Sequence, residues 1–289
     1  VFVPDAPVKD AYAHTGVATH PGADSRPRSM ASAPSIVAQM LEQLEVRPGH
    51  RVLEIGAGTG YNAALLAYLA GGRGQVTAVD IDEDVVEGAR RGLAAAGHGD
   101  VRMVCGDGEY GHPGRAPYDR LIVTAGAWDL PPAWVDQLAD GGRIVVPLRI
   151  RGLTRSVALE RHNGFLRSVS MVYCGFIPLR GAGHCPEPTV RLSDEFEVSL
   201  RLDDRKTADV ESLREALTFP ACHSWLGVTA DEDELGRFEF WLAGLDGFCR
   251  VLARPDAVAQ GGLVEPMYRW GSMAVADRDT FAYLTMRNA

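Results

Sequence analysis

No stretch of this 289-residue chain is apolar for long enough to cross a bilayer: the longest apolar-looking segment, residues 62–70, falls far short of the ~20 residues that a spanning helix needs. Val1-Phe2-Val3-Pro4 lacks the basic start and apolar stretch of a secretory signal. Positive charge is also short. With 29 Lys plus Arg against 38 Asp plus Glu, the formal charge is −9 and the pI about 5.4, which argues against the basic patch that holds a nucleic-acid backbone. Cys105, Cys174, Cys185, Cys222 and Cys249 are odd in number and widely spaced, with no Cys-x-x-Cys pair and no histidine spacing suited to zinc. His184 beside Cys185 does not make a tetrahedral site. Reduced, mostly buried thiols and no metal are expected. There is no repeat or low-complexity segment, and Gly and Pro follow no period. What remains is an ordinary globular composition, 46% hydrophobic and 23% charged, of a soluble, cytoplasmic protein with neither membrane nor nucleic-acid partner.

Five short β-branched runs, residues 51–55, 75–79, 101–104, 120–124 and 143–147, are separated by helical patterns. Such alternation predicts a parallel sheet covered by helices. The crossover helix between the second and third runs has Asp82 as candidate N-cap, Val85, Val86, Ala89 and Leu93 on one face, and Gly97 as its stop. Upstream, residues 35–44 carry Ile36, Val37, Met40, Leu41 and Leu44 at helical spacing, with Pro34 at the first turn. Runs 156–160 and 166–172 flank an Asn163-Gly164 pair that favours a hairpin, so an antiparallel pair should finish the sheet. Residues 181–188 break both periodicities and divide the chain into a domain over 1–185, with an amino-terminal segment 1–49, and an extension over 186–289. In the extension, strand-like 196–202, helical 210–217, and strand-like 238–242 and 282–286 predict a small α+β unit.

The sharpest motif is Val52-Leu53-Glu54-Ile55-Gly56-Ala57-Gly58-Thr59-Gly60-Tyr61, a buried strand entering a glycine-rich turn and then a helix, where glycines let a ligand approach the backbone. The dinucleotide pattern fails from Gly56 and Gly58, because Tyr61 fills its last slot. It fits loosely only in the shifted register Gly58, Gly60, Ala63, which leaves a nicotinamide oxidoreductase as a distant alternative. An acidic Glu54 followed by three alternating glycines is instead the pattern of S-adenosylmethionine binding, and a cationic sulfonium tolerates a nearby carboxylate. Asp80 ends the second strand twenty residues after Gly60, where a carboxylate accepts hydrogen bonds from ribose hydroxyls. Asp107, in Gly106-Asp107-Gly108 after the third strand, reads either as an adenine contact or as a plain Asp-Gly turn.

These residues, together with Phe2-Val3-Pro4, Ala11-Tyr12, Ser32-Ala33-Pro34, Ala116-Pro117-Tyr118-Asp119, Ile122-Val123-Thr124-Ala125, Gln137-Leu138, Gly141-Gly142-Arg143 with Pro147, and Phe176-Ile177-Pro178-Leu179, resemble the protein-L-isoaspartate O-methyltransferase family over roughly residues 1–183. The resemblance implies a seven-stranded, Rossmann-like class I methyltransferase sheet with an amino-terminal helical segment, and S-adenosylmethionine as methyl donor. It implies donor contacts from Glu54, Gly56, Ala57, Gly58, Gly60, Asp80, Ile81, Asp107, Gly108 and Thr124. The implied acceptor is an aspartyl-derived carboxylate in a peptide or protein bearing Asp or isoAsp. Ser32 matches the family's active-site serine, beside which the acceptor carboxylate sits; Ser before Ala-Pro and a helical run is equally a helix N-cap. No catalytic dyad is needed, because a carboxylate with a pKa near ~4 is already ionised at neutral pH. Alignment of carboxylate oxygen, methyl carbon and sulfur carries the reaction, and the methyl ester then closes to a succinimide that hydrolyses to aspartate or isoaspartate.

The chain departs from the family in three places. Arg28-Ser29-Met30-Ala31 replaces the usual Gly-Gln-Thr-Ile, after a polar loop over residues 19–27 that reads as a lid or a plain connection. Asp80 also stands where Glu is more usual. The extension is the larger departure, and it is rich in aromatics: Phe219, Trp225, Phe238, Phe240, Trp241, Phe248, Trp270 and Tyr283. A small domain of this kind suits recognition of one dedicated peptide, as in extended relatives that modify aspartate in ribosomally synthesised peptides. The expected activity is therefore carboxyl methylation of such a peptide. Repair of isoaspartyl proteins and an inactive peptide-binding module are the alternatives.

Overall fold

The computed structural model describes residues 1–22, 27–72, 74–186, 188–194, 197–202, 209–253, 264–268 and 271–286. Within the loop 19–27, residues 23–26 lie outside the described residues, as do Phe196 and Trp270. In chain order the elements are α1 (Val8–Ala11), β1 (Val17–His20), β2 (Ser29–Ala31), α2 (Pro34–Leu44), β3 (Val52–Ile55), α3 (Tyr61–Ala70), β4 (Val76–Asp80), α4 (Glu83–Ala95), β5 (Arg102–Cys105), β6 (Tyr118–Val123), α5 (Pro132–Gln137), β7 (Leu138–Ile150), β8 (Leu153–His162) and β9 (Phe165–Tyr173). They continue with β10 (Thr189–Ser193), β11 (Val198–Leu202), α6 (Val210–Ala216), α7 (Glu232–Leu242), β12 (Phe248–Leu252), β13 (Gly271–Ala276) and β14 (Phe281–Tyr283). The chain forms two compact units: residues 1–149 with 154–184, and residues 150–153 with 185–289.

The first unit holds a seven-stranded sheet in the order β5-β4-β3-β6-β7-β8-β9. β3 pairs in parallel with β4 and with β6, and β4–β5 and β6–β7 are parallel as well. β8 and β9 close the sheet as the antiparallel pair, and their turn takes positive φ at Asn163 (51°) and Gly164 (80°), the backbone that an Asn-Gly pair accommodates. Alternation in β3 assigns its side chains to the two faces. Val52 packs with Met40 and Leu44 of α2, Leu66 of α3 and Leu93 of α4, whereas Leu53 and Ile55 join Leu121, Val123, Trp134 and Leu138. Glu54 falls on the face of Val52, and so meets α3. The amino-terminal segment is less helical than expected, because β1 and β2 form an antiparallel hairpin before α2.

The second unit is built on a five-stranded antiparallel sheet, β10-β11-β12-β13-β14. Its core gathers Leu192, Val198, Leu200, Leu213, Cys249, Val251 and Ala274. Residues 238–242, read from sequence as a strand, are the end of α7. An Asp231–Glu234 capping box starts that helix, and its local hydrogen bonds outweigh the aromatic β propensity of Phe238-Glu239-Phe240-Trp241. Phe248 is fully buried, whereas Trp241 is 61% and Phe219 64% exposed. The expectation of mostly buried thiols also fails. All five cysteines are free, but only Cys174 and Cys249 are buried; Cys105 lies exposed on β5, at the end of the seven-strand order, and Cys185 and Cys222 lie exposed in irregular segments. Among the described residues no helix is long and apolar enough to cross a membrane, and no cluster of His, Cys, Asp and Glu could hold a metal ion.

Candidate active site

β3 and β6 are adjacent, but the chain leaves β3 toward β4 on one side and β6 toward β7 on the other. At such a switch point the connections diverge and leave a crevice beyond the strand ends. The turn after β3 bends over β4, with Gly56 N and Ala57 N both donating to Val79 O at 2.8 and 3.1 Å. Gly56 has φ 89°, and a Cβ there would stand 2.9 Å from Thr124 Oγ1, so this approach of the turn to β6 leaves no room for a side chain. Thr124 Oγ1 lies 3.0 Å from Ile55 O and 2.5 Å from Gly56 O, and its one proton serves one carbonyl at a time. Asp80 is fixed at the end of β4. Its Oδ2 accepts from Gly58 N at 2.9 Å and its Oδ1 from Asp82 N at 3.3 Å.

Of the residues singled out from sequence, Ser32, Gly56, Gly58, Asp80, Ile81, Gly108 and Thr124 line one cavity. Ser32 caps nothing there: the N-cap of α2 is Ala33, which makes no side-chain cap bond. Glu54, Ala57, Gly60 and Asp107 are not in that lining. Glu54 is completely buried, and its Oε1 accepts from Asn62 Nδ2 at 2.9 Å while Oε2 has no partner among the described residues. Burial pushes its carboxyl up to about 8; the Asn62 hydrogen bond opposes this and the Asp80 charge adds to it. Glu54 and Ala57 border a smaller void that Ser32 also lines. Gly60 is needed for helix packing, since a Cβ would lie 3.2 Å from Leu93 Cγ and 3.3 Å from Ala89 Cβ. Ala63 is fully buried, so the shifted dinucleotide register puts its last two positions into packing. Asp107 spends both oxygens on backbone, accepting from Glu109 N at 3.0 Å and Ala182 N at 2.7 Å.

The structure adds residues that the sequence reading did not place in the site. The segment 175–180 forms one wall, held beside the exit of β6 by Gly126 N to Ile177 O and Leu179 N to Gly126 O, both 2.8 Å. Its Phe-Ile-Pro-Leu pattern was visible, but it contributes backbone and apolar surface, which carry no chemical signature. Arg28 and Arg180 also line the cavity, and both reach Asp82: Arg28 Nη1 lies 3.2 Å from Oδ2, and Arg180 bonds Oδ1 and Oδ2 at 3.2 and 2.5 Å. Asp82 occupies the N-cap position of α4, yet makes no side-chain cap bond. Arg28 Nη2 also donates to Asp84 Oδ2 at 2.7 Å, and this hydrogen bond holds the Asp84 carboxyl below its usual range.

Residues 1–183 match the family model described as protein-L-isoaspartate(D-aspartate) O-methyltransferase. A protein-L-isoaspartate O-methyltransferase of Methanopyrus kandleri is 42% identical over 159 residues, covering 54% of this chain and 70% of the relative. One of Hyperthermus butylicus is 38% identical over 190 residues, covering 63% and 76%. A solved protein-L-isoaspartate O-methyltransferase superposes with a TM-score of 0.58 at 25% identity, over 74% of this chain and 82% of that one. The sheet order, the crevice at its switch point and a match across more than half of the sequence agree with one another, and the chain belongs to the protein-L-isoaspartate(D-aspartate) O-methyltransferase family, with its class I methyltransferase fold.

Proposed function

We propose that this chain uses S-adenosylmethionine to methylate the free carboxylate of an isoaspartyl residue in a protein or peptide. Its family membership supports this reading, and the observation that carries it is the meeting of Ser32, Asp80 and the glycine turn around one cavity. The residues present fit the donor. Gly56 and Gly58 bring bare backbone to the cavity, and Asp80 is held at its edge by two N–H donors, ready to accept from ribose hydroxyls. When bound, S-adenosylmethionine supplies a methyl group activated on a sulfonium. The protein's part is to hold the acceptor carboxylate beside Ser32 and to exclude water; alignment of this sort supplies up to ~7 to 11 kcal/mol. No residue has to remove a proton, because the acceptor is ionised at neutral pH.

A narrower second reading, modification of one dedicated peptide, draws on the altered Arg28-Ser29-Met30-Ala31 loop and the second unit, which would serve substrate recognition. Mass-spectrometric methylation of paired linear peptides, identical except for isoaspartyl or aspartyl linkage, tests both. Gain of one methyl by the isoaspartyl peptide alone is expected. Failure of both peptides, with S-adenosylhomocysteine still bound, would sink the general isoaspartyl reading and leave the dedicated one.

A further inference from the structure

We propose that Ser29 is a carboxylate-binding residue of the cavity, and that Arg28 is the positioning residue that holds it there. The inference rests on the methyl-transfer reading above, in which donor and acceptor each carry a carboxylate. Ser29 opens β2 and lines the cavity, but it is only 5% exposed and its buried Oγ has no hydrogen-bond partner among the described residues. A buried hydroxyl left unpaired is unfavourable, and at the edge of a cavity it points to a ligand that completes it. Gly58 leaves space against it: a Cβ on Gly58 would stand 3.6 Å from Ser29 Oγ and 3.6 Å from Met30 O. Arg28 and Arg180 in the same lining already pair with Asp82 and Asp84, which leaves the Ser29 hydroxyl as an uncommitted donor for the carboxylate that donor and acceptor each carry.

Arg28 fixes this hydroxyl from the preceding residue. Its two terminal nitrogens reach Asp82 and Asp84 at the start of α4, and its Nε donates to Pro21 O at 3.3 Å. On its other side the strand is paired with β1, His20 opposite Ser29 and Ala18 opposite Met30. A carboxylate entering the cavity therefore meets a hydroxyl whose backbone is held by both an ion cluster and a strand partner.

The test measures S-adenosylhomocysteine and 5′-methylthioadenosine binding by calorimetry on the full chain, and KM and kcat for the isoaspartyl peptide. The second nucleoside lacks the amino-acid end. If the carboxylate is the donor's, Ser29→Ala weakens S-adenosylhomocysteine about ten-fold, as loss of one charge-assisted hydrogen bond should, and leaves methylthioadenosine unchanged. If it is the acceptor's, both nucleosides bind as before and the peptide KM rises about ten-fold with kcat retained. In either case Ser29→Thr restores binding, and Arg28→Gln gives the same selective loss without adding to it in the double variant. Unchanged affinity and KM in Ser29→Ala, or equal weakening of both nucleosides, overturns the proposal. Failure of the unaltered chain to bind S-adenosylhomocysteine would instead remove the donor reading on which it stands.

Discussion

The two units of this chain are both sheets with helices, but they organise their strand ends in opposite ways. In the first, β3, β4, β5, β6 and β7 run parallel, so the loops that follow them leave from one edge and bring Gly56, Asp80, Gly108 and Thr124 to one cavity. In the second, each strand is antiparallel to its neighbour, and successive loops alternate between the two edges. A parallel sheet thus concentrates functional groups by topology alone. An antiparallel sheet must present them on a face or in a single loop. Family similarity follows the same division: the match ends at residue 183, just before the second unit's main segment.

The largest expected effect tests whether the second unit stands apart energetically. Arg250 Nη1 bonds Glu239 Oε1 at 2.9 Å, and the Glu239 side chain is 1% exposed. Removing one partner of such a buried pair costs about 3–5 kcal/mol. Glu239→Ala should therefore lower a calorimetric unfolding transition while S-adenosylhomocysteine affinity stays the same; a parallel loss of affinity would break the contrast between the units.

In the first unit the corresponding buried group is Glu54, whose complete burial makes it pH-sensitive. Burial pushes its carboxyl up to about 8 from an ordinary value of 4.5, so folding retains a proton that the unfolded chain releases. Stability from this group is full below about 4.5 and is lost as pH rises to about 8, at up to about 1.4 kcal/mol per pH unit. Glu54→Gln, which keeps an acceptor for Asn62, should flatten that dependence in denaturant melts between pH 5 and pH 8, values set by the shift itself. An unchanged slope would show that Glu54 is ionised in the fold.

The smallest effect concerns the element that was misread. Asp231 accepts from Glu234 N at 2.8 Å and begins α7, so Asp231→Ala should cost about 1 kcal/mol and reduce helix content. A residual strand-like conformation at 238–242 would reverse the present assignment.

The first unit was largely legible because its signals are local. β-branched runs, the Asp82 and Pro34 helix starts and the Asn163-Gly164 turn each act within a few residues, and each appears within a few positions of its expected place. Asp80, singled out by its type and strand position, and Ser32, singled out by the family resemblance, both line the cavity. The site was hidden where a contribution depends on distant partners. Asp82 reads as a cap and serves instead as the anchor for Arg28 and Arg180, and Asp107 is held by Glu109 N and Ala182 N. In the second unit, aromatic residues promised a strand that the capping box turned into a helix, because no buried pairing partner for that stretch was visible along the sequence.

The sequence by itself determined the family, the alternation of strands and crossover helices, and the glycine turn that only small residues can make, since these depend on local propensity and on steric limits carried by each residue. Only the tertiary structure decided which side chains share the cavity, that Gly60 packs against α4 and Ala63 in the core, and that Ser29 has no hydrogen-bond partner among the described residues. Those outcomes are set by approaches between segments far apart in the chain, such as residues 28 and 82 or 126 and 177, whose spacing is fixed by packing and has no counterpart in local sequence pattern.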